Sequence, residues 1–237
     1  MSARNHTGPR RRLVGGLALL VVAAAAGAEL RDAKDVVDRI QRECLRAYPP
    51  QMRAEMASGE SEIPADVEAD PEAQMRYLDK ELEVEKGLFY PTLLEEALPP
   101  LERYVKAGTR FLDLGSGDGR VVFLANVLGA HATGIEWESE LVDVSLAAEA
   151  ALADLVDPER IELLQGDFFE HSWAGYDVIF YFDTSSHEHA RLRRKLREEL
   201  GPQARLIVGH EIVPFEGFEL EAEYESMKVF RQPSGSP

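Results

Sequence analysis

The feature that most constrains this chain of 237 residues is a glycine-rich segment, Asp113-Leu-Gly-Ser-Gly-Asp-Gly-Arg120. Residues 110–114 are mostly apolar and suit a buried strand, and residues 120–128 suit a helix. Glycine permits a tight turn and lets a ligand approach the backbone. The first turn of a helix offers unpaired N–H groups and a positive dipole end, which suit a ligand carboxylate. The segment therefore predicts a ligand-binding turn between a strand and a helix.

From residue 110 onward, short apolar strands alternate with helices, which is typical of a mostly parallel sheet covered on both faces. The predicted strands are residues 110–114, 132–137, 161–165, 177–182 and 205–209, and the helices are 120–128, 138–155 and 187–200. Residues 218–224 and 228–231 look like two antiparallel strands with no helix between them. The predicted fold class is α/β, with a doubly wound, mostly parallel seven-strand Rossmann-like sheet and an N-terminal helical extension.

The chain before the sheet is predicted to be helical, with one acidic linker. Helical spacing of apolar residues runs over 32–48, and residues 57–70 hold small residues and five acids, which indicates a linker. Further helices are predicted at 71–85 and 91–106. The second is expected to break or kink at Pro99-Pro100, because an internal proline removes a backbone hydrogen bond. The predicted units are 1–28, a signal peptide or membrane anchor; 29–70, a helical segment and acidic linker; 71–109, a helical lid or extension; and 110–237, the ligand-binding domain.

The amino terminus has the pattern of a targeting segment. Arg10-Arg-Arg12 precedes an uncharged run over residues 13–28 that ends in Ala-Gly-Ala, as in a secretory signal peptide. Sixteen residues rise about 24 Å as a helix, less than the roughly 30 Å hydrocarbon core, which favours a signal peptide over a membrane anchor. A twin-arginine signal and a mitochondrial presequence are further alternatives for this segment. We predict an exported or membrane-anchored protein, with the cytoplasm as the alternative.

The charge of the chain limits the classes of molecule that it is expected to bind. A formal charge of −17 repels nucleic acid and favours cationic proteins or small molecules, so no nucleic-acid partner is predicted. Membrane association through residues 13–28 remains possible. Cys44 is the only cysteine, which excludes an intrachain disulfide and a cysteine-cluster metal site. His187 and His189 point in different directions on a helix, so no metal is predicted.

Acidic residues stand at the ends of successive predicted strands, at the edge where doubly wound sheets bind ligands. Glu136 ends the second strand, with Trp137 beside it, and can accept hydrogen bonds from both hydroxyls of a ribose. Asp167 follows the third strand and can accept a hydrogen bond from an adenine amino group, with Phe168 packing nearby. Asp183 ends the fourth strand. Each residue alone suits a surface or capping role, but together they predict a site for a nucleoside-containing ligand.

A dinucleotide-binding domain shares the glycine turn and the acidic residue about 20 positions later. Its glycines are spaced G-x-G-x-x-G, whereas this chain reads G-x-G-x-G and has Arg120 in place of the third glycine. Asp167 also follows the third strand, and only 118 residues remain after Gly119, which completes one sheet without a separate catalytic domain. These observations favour a different nucleoside cofactor.

The segment over residues 113–122 resembles the glycine motif of class I, seven-strand S-adenosylmethionine-dependent methyltransferases. Within this class, it most resembles the glycine motif of the family that methylates a lysine of the ATP-synthase c subunit. Residues 166–173, Gly-Asp-Phe-Phe-Glu-His-Ser-Trp, are similar to a segment of the seven-strand histone-lysine methyltransferases. The likeness spans residues 90–209. Residues 180–184 lack the asparagine-rich motif of the histone group, which speaks against a nucleosomal substrate.

The resemblance implies S-adenosylmethionine as the cofactor and residues 86–91 as a lid over it. The implied cofactor-binding residues are Asp113, Gly115, Ser116, Gly117, Glu136, Trp137, Asp167 and Phe168.

An amine acceptor must lose a proton before methylation, and several polar residues lie near the expected substrate mouth. Tyr181, Asp183 and His187 are the candidate catalytic residues, and His210 is a further one. Tyr181 also suits the core, Asp183 a helix cap and His187 the surface. The predicted function is N-methylation of a protein lysine. The alternatives are a small-molecule methyltransferase and an exported, catalytically silent cofactor-binding protein.

Overall fold

The computed structural model describes residues 32–53, 91–182, 189–210 and 215–233. Within these residues, seven strands form one sheet, and α-helices cover both of its faces. The strands are β1 Arg110–Leu114, β2 His131–Glu136, β3 Ile161–Gln165, β4 Val178–Phe182, β5 Arg205–Gly209, β6 Glu219–Glu223 and β7 Met227–Arg231. The helices are α1 Ala33–Ala47, α2 Leu94–Tyr104, α3 Arg120–Val127, α4 Ser139–Ala151 and α5 His189–Glu199.

The strand order is β3-β2-β1-β4-β5-β7-β6. Neighbours among β1 to β5 are parallel, whereas β7 runs antiparallel to both β5 and β6. After β3 the chain crosses back and places β4 on the opposite side of β1 from β2. This reversal between β1 and β4 creates the crevice in which doubly wound folds bind ligands. The predicted seven-strand α/β fold is confirmed, including its antiparallel tail.

Alternate residues of the central strands face opposite sides of the sheet, as the two-residue period of a strand requires. On β4, Val178 and Phe180 belong to the hydrophobic cluster that includes α1 to α4. Ile179 and Tyr181 belong to the second cluster, which includes α5. Because both faces are covered, the strands are almost continuously apolar.

Of the expected break or kink at Pro99-Pro100, the break is wrong, because α2 continues through both prolines. An internal proline leaves a carbonyl four residues earlier without its helical donor, here those of Glu95 and Glu96. These two carbonyls lie in the first turn of the helix, and Glu95 is exposed to water. Burial of one apolar face of α2 offsets the loss, with Leu94, Ala97, Pro100 and Leu101 all buried.

Helix α1 is an integral part of the packed structure. It buries Val36, Val37, Ile40 and Cys44 and contacts α3 and α4. Asp32 caps its N-terminus by accepting a hydrogen bond of 3.0 Å from the N–H of Lys34. The helix predicted before Pro49-Pro50 is thus present, and it packs on the helix that follows the glycine loop.

Several predictions fall on residues outside the described ranges: the targeting segment 13–28, the linker 57–70, the helix 71–85, most of the proposed lid 86–91, and the candidates Asp183 and His187. Among the residues that are described, no helix is long and apolar enough to cross a membrane.

Candidate functional site

The glycine loop between β1 and α3 has a backbone that only glycine adopts readily. Gly115, Gly117 and Gly119 all have left-handed conformations, with φ of 76°, 56° and 78°. The N–H groups of Gly115 and Ser116 both donate to the carbonyl of Ile135 on β2, at 2.9 and 3.0 Å. The predicted ligand-binding turn is present, and β2 fixes its first half.

Gly134 on β2 allows the glycine loop to approach the sheet, and the sequence analysis did not identify it. A Cβ at this position would lie 2.7 Å from the Oγ of Ser116 and 2.8 Å from a methyl carbon of Val122 on α3. Gly134 pairs in register with Asp113. The one sequence signal was a glycine inside an apolar strand, which indicates a close backbone approach.

Glu136 fixes the second half of the loop. One carboxylate oxygen accepts a hydrogen bond of 2.8 Å from the N–H of Gly117, and the other accepts one of 2.9 Å from the N–H of Glu138. A carboxylate offers about four lone-pair sites, so both oxygens can still accept a further donor. Glu136 therefore connects the glycine loop to the end of β2 while keeping capacity for a ligand.

Asp113 at the end of β1 is buried, with 2% of its surface exposed. Burial raises the pKa of its carboxyl group well above the ordinary value, and the charges of Glu136 and Asp118 raise it further. A buried acid beside other acids favours the approach of a cationic ligand group. Strongly perturbed acids of this kind are concentrated in functional sites.

A buried ion pair occupies the last part of the loop, and the sequence analysis missed it. The Asp118 side chain accepts hydrogen bonds from the Nε of Arg120 at 2.9 Å and from its Nη2 at 2.5 Å. It also accepts one of 3.0 Å from the hydroxyl of Tyr48, which follows α1. Asp118 had been treated only as part of the glycine motif, and Arg120 only as a departure from the dinucleotide pattern.

Asp167 follows β3 and makes two local contacts in this structure. Its side chain accepts a hydrogen bond of 2.8 Å from the N–H of Phe169, capping a short 3₁₀ helix, and forms an ion pair of 3.5 Å with Arg191 on α5. The ring of Phe168 lies 4.5 Å from that of Phe169 and 6.1 Å from that of Trp173. The capping role considered for Asp167 is therefore realised, and an aromatic cluster supports the loop.

An open cleft of about 340 Å³ lies between the ends of β2 and β3. Trp137 is half exposed at this cleft, directly after Glu136. The residues that line it are Trp137, Glu138, Ser139, Gln165 and Gly166. The cleft presents an aromatic face and backbone polar groups beside the acidic strand end, a combination suited to a flat heterocycle attached to a sugar.

The candidate catalytic residues have different environments. Tyr181 is 5% exposed in the core, paired in register with Leu114 and Val208. His210, directly after β5, is exposed and has φ of 57°, and its ring stacks on Phe182 at 5.8 Å. Left-handed backbone outside glycine is uncommon and is often found at functional positions. Within the described part of the chain, no three metal-binding side chains cluster.

Residues 113–211 match a family model described as the ANTKMT methyltransferase domain. Over these residues the chain is similar to S-adenosylmethionine-dependent methyltransferases. The match begins at the buried acid of β1 and ends just beyond His210, so it contains the glycine loop, Glu136 and Asp167. The resemblance inferred from the sequence motifs is thereby confirmed.

Parts of this chain are also similar to named proteins. A curated relative, 8-amino-8-demethylriboflavin N,N-dimethyltransferase of Streptomyces davaonensis, is 36% identical over 111 residues, which are 42% of this chain and 30% of that protein. The chain thus spans about a third of the length of this relative.

Among solved structures, the chain is similar to an RNA methyltransferase of Salinibacter ruber in complex with S-adenosyl-L-homocysteine. The two are 28% identical, with a TM-score of 0.46, and the match covers 63% of this chain and 97% of that one. A methyltransferase of Thiobacillus denitrificans in complex with S-adenosyl-L-homocysteine is 22% identical, with coverage of 54% and 52% and a TM-score of 0.42.

Proposed function

We propose that this protein transfers a methyl group from S-adenosylmethionine to the amine of a lysine side chain in a protein. The observation that carries the proposal is the hydrogen bond of 2.8 Å between the N–H of Gly117 and the Glu136 carboxylate, because it unites the glycine loop and the ribose-binding acid in one site. The site lies inside the segment that matches a methyltransferase family.

The residues present fit S-adenosylmethionine. Glu136 has free acceptor capacity for the two ribose hydroxyls. The half-exposed ring of Trp137 faces the cleft in which an adenine would lie. The buried carboxyl group of Asp113 favours the cationic amino-acid end of the cofactor. At Gly115, a Cβ would meet no atom within 4 Å, so the loop leaves open space on that side.

When bound, the cofactor supplies a methyl group already activated on a sulfonium. The tasks of the protein are then to orient the acceptor and to exclude water. The glycine loop and Glu136 fix the donor side of the site. A lysine amine must also lose its proton, and Asp183, His187 and His210 near the ends of β4 and β5 are the candidates to receive it. The burial of Tyr181 favours a packing role for this residue.

A protein lysine is favoured as the acceptor by motif resemblance. The formal charge of −17 attracts cationic acceptors, both segments of proteins and small molecules, and does not choose between them. The glycine motif and residues 166–173 both resemble lysine methyltransferases. A small-molecule amine is the second candidate, because the Streptomyces relative is named as a methyltransferase of an amino-substituted flavin.

The decisive experiment incubates the full chain and isotope-labelled S-adenosylmethionine with cell extract. We expect label in protein, recovered as methyl-lysine after hydrolysis. Label in a small-molecule fraction would favour the second candidate instead. Binding without release of S-adenosylhomocysteine would indicate a catalytically silent protein. Glu136→Gln should abolish the signal, while Glu162→Gln, a matched change at an exposed position of β3, should leave it intact.

Export or membrane anchoring through residues 13–28 stays a prediction based on the charge and apolar pattern of that segment. Determining the mass of the mature amino terminus in each cell fraction would test it. A mature protein that begins near residue 29 would support a cleaved signal, whereas an intact cytoplasmic protein would contradict export.

A further inference from the structure

Tyr48 links the N-terminal helix to the glycine loop through a buried hydrogen bond. It is 1% exposed, and its hydroxyl lies 3.0 Å from the Asp118 side chain. Burial and the nearby charge of Asp118 raise the pKa of the phenol, so it remains a neutral donor at physiological pH. The two residues are 70 positions apart in the chain.

Asp118 is itself almost completely buried, with 1% of its surface exposed. Three separate parts of the chain meet around the Asp118–Arg120 ion pair. Tyr48 and Arg120 donate to its carboxylate, and the Sγ of Cys44 on α1 lies 3.7 Å from its backbone carbonyl. Arg120 in turn donates to the carbonyl of Thr92, before α2, at 3.4 Å. A buried carboxylate with several charged and neutral donors has a single favourable position.

The glycine loop needs such an anchor. Its three left-handed glycines lose more backbone freedom on folding than other residues would. The middle of the loop is also held by the hydrogen bond from Gly117 to Glu136, whose carboxylate the proposed function also assigns to the ribose hydroxyls. Because Asp118 lies between Gly117 and Gly119 in the chain, its anchored side chain helps to position both glycines.

We propose that Tyr48 is a positioning residue for the cofactor, acting through Asp118, and that α1 is a working part of the cofactor site. The inference rests on the proposed function and adds a residue that lies outside the segment matched by the family model. It implies that residues 113–211 alone do not form a competent cofactor site. The hydroxyl of Tyr48 sets cofactor affinity without contacting the cofactor.

The test is calorimetric titration of the full chain with S-adenosylmethionine and with S-adenosylhomocysteine. We expect Tyr48→Phe to raise the Kd for both ligands by about ten-fold, because a hydrogen bond to a charged acceptor is lost. The binding stoichiometry should stay near that of the wild type. A merely structural role would lower the fraction of protein that binds and leave the Kd unchanged. The matched control is Tyr176→Phe, which removes a hydroxyl contact of 3.2 Å to Thr133 and should leave the Kd unchanged.

A second variant keeps the test decisive if Tyr48→Phe does not fold. Asp118→Asn should also raise the Kd. Where both single variants fold, their effects should not add in the double variant, because both changes break one network. A wild-type Kd in either folded variant would overturn the role of Tyr48 while leaving the proposed function intact. Failure of the wild-type chain to bind either ligand would instead overturn the proposed function, and the inference with it.

Discussion

The two sides of the sheet's carboxyl edge are constructed differently. At the ends of β1 and β2, the glycine loop is fixed by Ile135, Glu136 and the buried ion pair of Asp118, so few of its atoms can move independently. At the ends of β4 and β5, His210 is exposed on a left-handed backbone, and its ring stacks on Phe182. The first side is preorganised around one ligand, whereas the second presents side chains to solvent.

This difference separates two requirements of a methyltransferase. Donor binding demands fixed backbone geometry, because the same cofactor must be held in one orientation in every cycle. Acceptor choice depends on exposed residues that can change without disturbing the core. We therefore expect substitutions on the β1–β2 side to affect cofactor binding most, and those on the β4–β5 side to affect turnover more than cofactor binding.

The largest effect is expected for Gly134→Ala. The new methyl group would lie within 2.8 Å of atoms of Ser116 and Val122, so either the loop or α3 must shift. We expect a loss of about 2–3 kcal/mol in the free energy of unfolding and no measurable binding of S-adenosylmethionine. Chemical denaturation and calorimetry measure the two quantities. Gly201→Ala is the control, because its Cβ would meet only the side chain of Ala204 at 3.8 Å.

Gly209→Ala makes the corresponding change on the β4–β5 side. Its Cβ would lie 2.6 Å from the ring of Phe182 and 3.1 Å from the sulfur of Met227. The ring and the thioether can rotate away from the new methyl group, whereas the Cβ of Ser116, which a Cβ at Gly134 would meet, is fixed by the loop backbone. We therefore expect a smaller destabilisation of about 1–2 kcal/mol. Cofactor affinity should stay within about two-fold of the wild type while turnover falls. Equal losses of cofactor binding in Gly134→Ala and Gly209→Ala would remove the distinction between the two sides.

The sequence predicted those features of the fold that depend on the pattern of neighbouring residues. The strand periods and the helix after the glycine motif are local, and the acids at successive strand ends follow from the order of the elements. The Tyr48–Asp118 contact could not be predicted, because 70 residues separate the partners and only the packing of α1 brings them together. The expected break at Pro99-Pro100 was wrong for the same kind of reason, since burial of one face of α2 outweighs a local helix-breaking signal.

Asp113→Asn should alter the pH dependence of stability. Burial raises the pKa of Asp113 in the folded protein, so the folded state binds its proton more tightly than the unfolded state does. The stability that this residue contributes is therefore present below the ordinary aspartate pKa of about 3.9 and is lost as pH rises through the folded value. Asp113→Asn removes this loss, so the variant should be more stable than the wild type at neutral pH by about 1 kcal/mol.

Urea denaturation of both proteins between pH 5 and pH 8 measures this effect of Asp113→Asn. The exposed Asp143 on α4 offers the matched control, and Asp143→Asn should leave the pH dependence unchanged. A variant that stays less stable than the wild type throughout the range would mean that the Asp113 carboxylate stabilises the folded protein without a ligand. The ends of β1 and β2 would then be stable without a cationic ligand group beside Asp113.

The smallest effect on stability is expected for His210→Asn. Asparagine is one of the few residues that tolerate a left-handed backbone, so the variant should keep the φ of 57° and the hydrogen bond of 3.0 Å from its N–H to the carbonyl of Ser226. We expect a change of under about 0.5 kcal/mol in unfolding free energy and an unchanged Kd for S-adenosylmethionine.

Turnover is the informative measurement for His210→Asn, because only the imidazole ring and its stacking on Phe182 are lost. A fall of about ten-fold or more would place the ring in contact with the acceptor, in the range expected for a group that orients or deprotonates a nucleophile. Unchanged turnover would mean that position 210 is only a turn position, which any residue that tolerates a left-handed backbone can occupy. The proton would then pass to a residue of the segment between β4 and α5, where the candidates Asp183 and His187 lie.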